Sequence, residues 1–257
     1  MGFLIIRKLA RFFGGLAAVT DLDLDVNRGQ IFGLIGPNGA GKSTLLNMID
    51  GTLRPSRGEI LFEDRDVTGL PSHDRSKRGI GRVFQENLLF VNFTVLENVL
   101  VGYHLQWPIG LASIFLKTSP HRRHEESIRE KALDTLAFVG LSEYADEMAM
   151  NLPHGRQRLL GLAVALATQP KLLLLDEPVT GMNAKEVETM LGMIRALREK
   201  REITCIVIEH NLKAVMGLCE RIAVLNFGRK IAEGTPAEIL ANPAVTEAYL
   251  GTEEDVF

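Results

Sequence analysis

Gly36, Gly41, Lys42 and Ser43 stand at the spacing G-x-x-x-x-G-K-[ST], inside the run Gly36, Pro37, Asn38, Gly39, Ala40, Gly41, Lys42, Ser43, Thr44. The chemistry open to that spacing is phosphate binding. Glycines let the backbone curl until successive N–H groups point inward at phosphate oxygens, and a helix that starts at the loop adds partial positive charge. Lys42 would reach the β and γ phosphates, and the Ser43 hydroxyl would bind Mg²⁺. The context is the one the motif needs: the apolar run Ile31 to Ile35 precedes it, and a helical pattern from Ser43 to Ile49, closed by Gly51, follows. Without a ligand the same residues are only a glycine-rich turn from strand to helix.

A second block runs from Leu172 to Pro178, four leucines and then Asp176 and Glu177. It reads as a buried parallel strand with acids at its C-terminal end, the edge at which open α/β sheets bind ligands. One acid there can hold Mg²⁺, directly or through water, and its neighbour can position the attacking water. Alone, the block is a strand followed by a turn. Downstream of a phosphate loop, it is half of a nucleotide site.

The elements that must position these groups alternate along the chain. Up to Glu63, short apolar or β-branched runs separated by turns predict small antiparallel strands, and Asp64 to Lys77 is a polar stretch. Gly81 to Phe84 predicts a short strand ending at Gln85. Between about Val95 and Asp146 the pattern turns helical, with Val95, Asn98, Val99 and Gly102 on one face, then Ile128, Ala132, Leu133, Leu136 and Val139 on another. Helix and strand then alternate: Gly155 to Thr168, Lys171 to Leu175, Ala184 to Lys200 (Val187, Met190, Leu191, Ile194 and Leu197 inward), Thr204 to Ile208, and a helix from Asn211. Arg221 to Glu233 reads as a hairpin turning at Phe227 and Gly228. Such alternation means βαβ units, an α/β fold with a mainly parallel sheet and a helical insert.

Composition sets the outer limits. With 257 residues, 46% of them hydrophobic and 24% charged, the chain can bury a sizeable core. A formal net charge of −3, from 29 basic and 32 acidic residues, argues against binding nucleic acid through overall charge. Cys205 and Cys219 have no metal-ligand spacing and read as small buried hydrophobes in a reducing compartment. No run approaches the about 20 apolar residues of a membrane span. Phe3 to Ile6 is interrupted by Arg7, Lys8 and Arg11, and Ile6 stands where a myristoylation signal needs Ser or Thr, so a cytosolic chain is expected. Val99 to Lys117 comes nearest to a membrane segment, but His104, Gln106, Trp107, Pro108 and Gly110 break it.

Over essentially the whole chain, these residues resemble the ATP-binding cassette ATPases. The resemblance implies a P-loop nucleotide-hydrolase core with an antiparallel β subdomain and a helical subdomain: about 1–94 and 155–235 for the core, about 95–154 for the helical part, and a tail from about 236 to 257. It implies that Phe13 stacks on adenine, that Gln85 touches Mg²⁺ and the attacking water and faces a transmembrane partner, and that Asp176 is the magnesium acid. Glu177 becomes the catalytic base, and His210, in the run Ile208, Glu209, His210, the sensor of the γ-phosphate. Read without the family, a histidine at a strand end is a turn or capping residue.

Leu152 to Arg156 departs from the family's Leu-Ser-Gly-Gly-Gln signature, in which the serine hydroxyl contacts the γ-phosphate held by the opposite subunit. Pro153 brings neither hydroxyl nor N–H. A helix N-terminus near Gly155 and a new cation at Arg156 remain to replace it. Gly181 to Glu186, the insert between Gly102 and Glu125, and the ending Glu247 to Gly251 resemble the LivG-like ATPases of branched-chain or hydrophobic amino acid importers. The implied cofactors are ATP and Mg²⁺. The implied partners are a second cassette ATPase (as homodimer or heterodimer), two transmembrane permease subunits and, indirectly, a periplasmic binding protein; the implied place is the cytoplasmic side of the inner membrane. Lipopolysaccharide-export ATPases share the length and a similar tail, and a cassette that binds ATP with little hydrolysis of its own is the other alternative. Cassettes acting on nucleic acid or ribosomes carry coiled coils or a second cassette, for which the chain has no room.

Overall fold

Strands buried on both faces need apolar residues at every position, and the chain's most apolar runs lie side by side in a six-stranded sheet. The computed structural model describes residues 2–84, 88–103 and 119–250. Strands β1 (Leu4–Phe13), β2 (Leu16–Val26), β4 (Arg57–Phe62) and β5 (Arg65–Asp66) form an antiparallel sheet in the order β2-β1-β4-β5. The other sheet takes β3 (Ile31–Ile35), β6 (Ile80–Val83), β7 (Leu172–Asp176), β8 (Thr204–Ile208), β9 (Arg221–Asn226) and β10 (Arg229–Gly234) in the order β10-β9-β3-β8-β7-β6. It is parallel from β9 to β6, and only β10 runs antiparallel.

The period of two along each strand splits these runs between two cores. Leu173 and Leu175 of β7, Cys205 and Val207 of β8, and Ile222 and Val224 of β9 face a helical layer. Leu172 and Leu174, Ile206 and Ile208, and Ala223 and Leu225 face the antiparallel sheet and helix α1 (Lys42–Asp50). Both cysteines are free and buried, and burial pushes each thiol up to about 12, so they pack as apolar groups.

The helical layer includes Val95–Gly102, Ser119–Phe138, His154–Ala167, Ala184–Arg201 and Leu212–Leu218. The first opens on a reciprocal cap: Glu97 N donates to Thr94 Oγ1 (3.1 Å) and Thr94 N to Glu97 Oε2 (2.7 Å). Its last residue, Gly102, lies so close to the His154–Ala167 helix that a Cβ would sit 2.5 Å from Val164 O. Ile128, Ala132, Leu136 and Val139 are buried as their spacing requires, but Leu133 is 39% exposed. It lies one residue, about 100°, round from Ala132 and falls off the apolar face.

The polar stretch Asp64 to Lys77 holds β5, a short helix Ser72–Lys77, and one residue the pattern hides. Arg75 is 1% exposed. It donates to Met48 O (2.5 Å) and Ile49 O (2.9 Å) at the end of α1, and to Thr68 O and Leu70 O (2.9 Å each). Carbonyls at a helix C-terminus have no partner inside the helix, and a guanidinium there is favourable on both counts. Burial pushes Arg75 down to about 10, still charged at neutral pH. Among the described residues no helix is long and apolar enough to cross a membrane; residues 104–117 of the interrupted apolar stretch lie outside them.

Candidate active site

The strand-to-helix turn after β3 is shaped by backbone that only glycine adopts without strain. Gly36, Gly39 and Gly41 have φ of 149°, 76° and 101°. A Cβ on Gly36 would meet Leu225 O at 2.0 Å, and one on Gly41 would meet Ala18 O at 2.5 Å. The loop is therefore wedged between β9 and β2. Lys42 folds back over it, with Nζ donating to Gly36 O (2.6 Å) and Pro37 O (2.9 Å). Burial lowers the Lys42 pKa, and the charges of Glu177 and Asp176 oppose that shift.

A cavity of about 380 Å³ opens above this loop, lined by Asn38, Gly39, Ala40, Gly41, Lys42, Ser43 and Thr44 with Glu177 and His210. The two blocks that sequence places more than a hundred residues apart thus meet at one end of the parallel sheet. Glu177 follows β7 and has a φ of 50°. That left-handed backbone costs a non-glycine residue of order 1–3 kcal/mol and is held by its surroundings. Glu177 N donates to Ile208 O (2.9 Å), Thr180 Oγ1 donates to Glu177 Oε2 (3.2 Å), and His210 Nε2 lies within hydrogen-bond distance of Glu177 Oε1, at 2.7 Å. Asp176, one residue earlier, is 5% exposed and accepts from Arg82 Nη2 at 2.7 Å.

Three expected members, Phe13, Gly155 and Arg156, do not line this cavity. Phe13 is not among the residues lining the cavity; it is 46% exposed, with the Arg11 guanidinium 4.7 Å from its ring centroid. Its register partner Leu16 does line the cavity, as does Phe227. Gly155 and Arg156 start the His154–Ala167 helix away from this cavity, and the helix begins one residue earlier than the sequence predicts. A Cβ on Gly155 would meet Glu186 Oε1 at 2.4 Å, and the Arg156 guanidinium lies 4.1 Å from the Tyr144 ring centroid. Gln85 lies outside the described residues.

Sequence reasoning passed over four residues here. Phe227, 86% exposed, belongs to a hairpin turn that rests on the phosphate loop, since Gly228 N donates to Ala40 O at 3.0 Å. The signal was a large apolar side chain in a turn that needs none. Glu209 is 3% exposed and accepts from Val179 N at 2.9 Å; burial raises its pKa against three backbone N–H donors, those of Val179, Asn211 and His210. Arg158, on the His154–Ala167 helix, has its pKa lowered by burial while Glu177 and Glu209 draw it up. Arg82 completes the set, an arginine in an otherwise apolar strand.

Comparison with known proteins shows the family. The family model "ABC transporter" matches residues 19–180, and the model "Branched-chain amino acid ATP-binding cassette transporter" matches residues 229–255. The high-affinity branched-chain amino acid transport ATP-binding protein LivG of Escherichia coli (strain K12) is 43% identical over 248 residues, 96% of this chain and 97% of that protein. The lipopolysaccharide export system ATP-binding protein LptB of Haemophilus influenzae is 33% identical over 253 residues, 98% of this chain and 99% of that one. A crystal structure of the ADP conformation of an ATP-binding cassette of an ABC transporter superposes with a TM-score of 0.86 at 34% identity, covering 98% of this chain and all of the other (100%). The chain belongs to the ABC transporter family, as one of its nucleotide-binding, ATP-hydrolysing cassettes.

Proposed function

We propose that the chain is the ATP-hydrolysing subunit of an importer for branched-chain or other hydrophobic amino acids. The observation that carries the reading is the convergence of the phosphate loop, Glu177 and His210 on one cavity, in a chain whose residues 229–255 match the branched-chain cassette model. That second match favours import over lipopolysaccharide export. In this reading residues 1–94 and 155–235 form the nucleotide core, 95–154 the helical subdomain and 236–257 the tail.

Magnesium fits the donors present. The exposed Ser43 hydroxyl and the Asp176 carboxylate are hard oxygen ligands, and among the described residues no group of three or more His, Cys, Asp or Glu gathers to cage a metal. Mg²⁺ is held in this sparse way elsewhere, by one or two carboxylates and the phosphates of the substrate. Bound there, it would neutralise charge on the phosphate oxygens. The chain's own residues do the rest. Lys42 and the loop N–H groups fix the phosphates, Glu177 orients or deprotonates water, and His210 steadies Glu177 from the cavity side and reaches the γ-phosphate. Gln85 contributes to the metal and the water, and Phe13, paired in register with the cavity-lining Leu16, to the adenine at the rim of the cavity.

The phosphate loop is completed by a second cassette. Pro153 and His154 are exposed, and this chain's own signature loop does not line its own cavity, so both are free to meet another subunit's nucleotide. A separate face suits the permeases. Leu88, Phe90, Val91, Phe93, Met148 and Met150 are each 42–67% exposed. Their segments adjoin, because Ala149 N donates to Phe93 O and Met150 N to Val91 O. Contiguous exposed apolar side chains of this kind mark an interaction surface, and a peripheral cassette docks there on two transmembrane subunits at the cytoplasmic face. The test is ATP hydrolysis by the chain assembled with its permease pair in liposomes, with leucine-, isoleucine- or valine-loaded binding protein added. Stimulation by loaded binding protein is expected. Stimulation by lipopolysaccharide instead sinks the import reading, and hydrolysis in neither case identifies a cassette that only binds ATP.

The signature loop gives a graded prediction. Pro153 occupies the N-cap position of its helix with no side-chain cap. Pro153→Ser restores a hydroxyl to the opposite nucleotide, and a charge-assisted hydrogen bond of about 1.5–3 kcal/mol corresponds to roughly a ten- to hundredfold gain in closed dimer. Arg156→Ala should lower the dimer fraction, since it removes the compensating cation together with its Tyr144 contact. Light scattering of both variants in a Glu177→Gln background, with and without ATP, decides; if neither moves the dimer fraction, the loop does not reach the second nucleotide.

A further inference from the structure

Arg82 interrupts an apolar strand, Ile80, Gly81, Val83, and yet stays inside, its side chain 9% exposed. Its guanidinium makes three contacts. Nη1 donates to Asn47 Oδ1 at 2.6 Å and to Asp50 Oδ2 at 2.5 Å, and Nη2 donates to Asp176 Oδ2 at 2.7 Å. The Phe84 ring lies against it, 4.8 Å from centroid to guanidinium carbon. Each contact reaches a different part of the nucleotide machinery. Asn47 and Asp50 sit toward the end of α1, the helix that starts at the phosphate loop; Asp176 ends β7; and Arg82 itself lies on β6, three residues before Gln85.

Asp50 is fixed in turn, because its Oδ1 accepts from Thr52 N at 2.8 Å and Thr52 Oγ1 at 2.7 Å. The guanidinium is thus clamped from the α1 side before it meets Asp176. Packing alone does not call for this. A buried ion pair is weak evidence for stability, since an apolar side chain of similar size often serves as well. What an apolar residue cannot do is hold one oxygen of Asp176 with one arm of a planar guanidinium whose other arm is bound to α1, and so fix where that carboxylate points.

We propose that Arg82 is a positioning residue for the divalent cation: it sets the orientation of the Asp176 carboxylate and ties it to the phosphate-loop helix on one side and to strand β6 on the other. The proposal rests on the reading of Asp176 as the magnesium acid. Groups that orient a metal ligand typically matter about ten- to a hundredfold in metal affinity.

The test uses Mn²⁺ in place of Mg²⁺, bound to the full chain carrying Glu177→Gln with ATP present, and followed by electron paramagnetic resonance. In parallel, a fluorescent ATP analogue reports nucleotide affinity in excess EDTA. Arg82→Met should weaken Mn²⁺ binding about tenfold or more and leave the metal-free nucleotide affinity unchanged, a split that a general loss of structure would not produce. Arg82→Lys should fall part-way, because an ammonium supplies the charge without the fork. Asp176→Asn is the control. If it leaves Mn²⁺ binding intact, the magnesium reading of Asp176 fails; if it weakens Mn²⁺ binding while both Arg82 variants bind Mn²⁺ like the parent, the role of Arg82 alone is overturned. Should Arg82→Met not fold, leaving Asp50 and Asp176 without their shared cation, Arg82→Lys decides: weaker Mn²⁺ binding at unchanged metal-free nucleotide affinity supports the proposal, and parent-like Mn²⁺ binding refutes it.

Discussion

Glu177→Gln is expected to bind ATP as the parent does and to lose turnover by about 10²–10⁴-fold, the range that a positioned general base contributes. The amide keeps the shape of the carboxylate and can still meet Thr180 Oγ1 and His210 Nε2, which approach Glu177 at 3.2 Å and 2.7 Å. Only the capacity to take or orient a proton goes. Because Glu177 lies in the left-handed region at φ 50° and is pinned through its own N–H to Ile208 O, the exchange should not disturb the backbone. A chain that binds but cannot hydrolyse should accumulate as an ATP-bound dimer. Equilibrium nucleotide binding, phosphate release and gel filtration with ATP test the three statements separately. Parent-like phosphate release would remove Glu177 from the chemistry and move attention to His210.

The parts of this site legible in the sequence are those where one backbone geometry permits few residue types. Gly36 and Gly41 announce themselves because any side chain would strike Leu225 O or Ala18 O, and the four leucines before Asp176 because a strand buried on both faces tolerates nothing else. The turn at Gly228 was readable for the same reason, with a φ of 74° there. Long polar residues were not. Arg75 and Arg82 carry no local mark of burial, yet both are buried, one on the carbonyls that end α1 and the other between Asn47, Asp50 and Asp176. Nothing local distinguishes an arginine that meets water from one that meets carboxylates brought in from distant strands. Leu16 was not legible either: it is paired in register with Phe13 and so shares its face of the hairpin, and nothing in the sequence marks it as the one of the two that lines the cavity.

Lys42→Ala is expected to weaken ATP binding by roughly ten- to a hundredfold, the equivalent of a charge-assisted hydrogen bond of about 1.5–3 kcal/mol, and to lower hydrolysis at least as much. Charge on the phosphates persists from ground state to transition state, so one cation serves both, and affinity and rate should fall together. Stability of the nucleotide-free chain should behave differently. The substitution removes two hydrogen bonds, to Gly36 O and Pro37 O, at about 1 kcal/mol each. It also removes a buried ammonium whose pKa burial has lowered, which means that the fold disfavours the charge it holds there, and the two effects oppose one another. The melting temperature without ligand should therefore move little, while the upward shift that ATP produces in the parent, which follows from its binding to the native state alone, should largely disappear. Thermal melts with and without ATP separate the two quantities in one experiment. A variant that melts far lower without nucleotide but is still raised by ATP as the parent is would mean that Lys42 braces the loop and leaves the phosphates to its N–H groups.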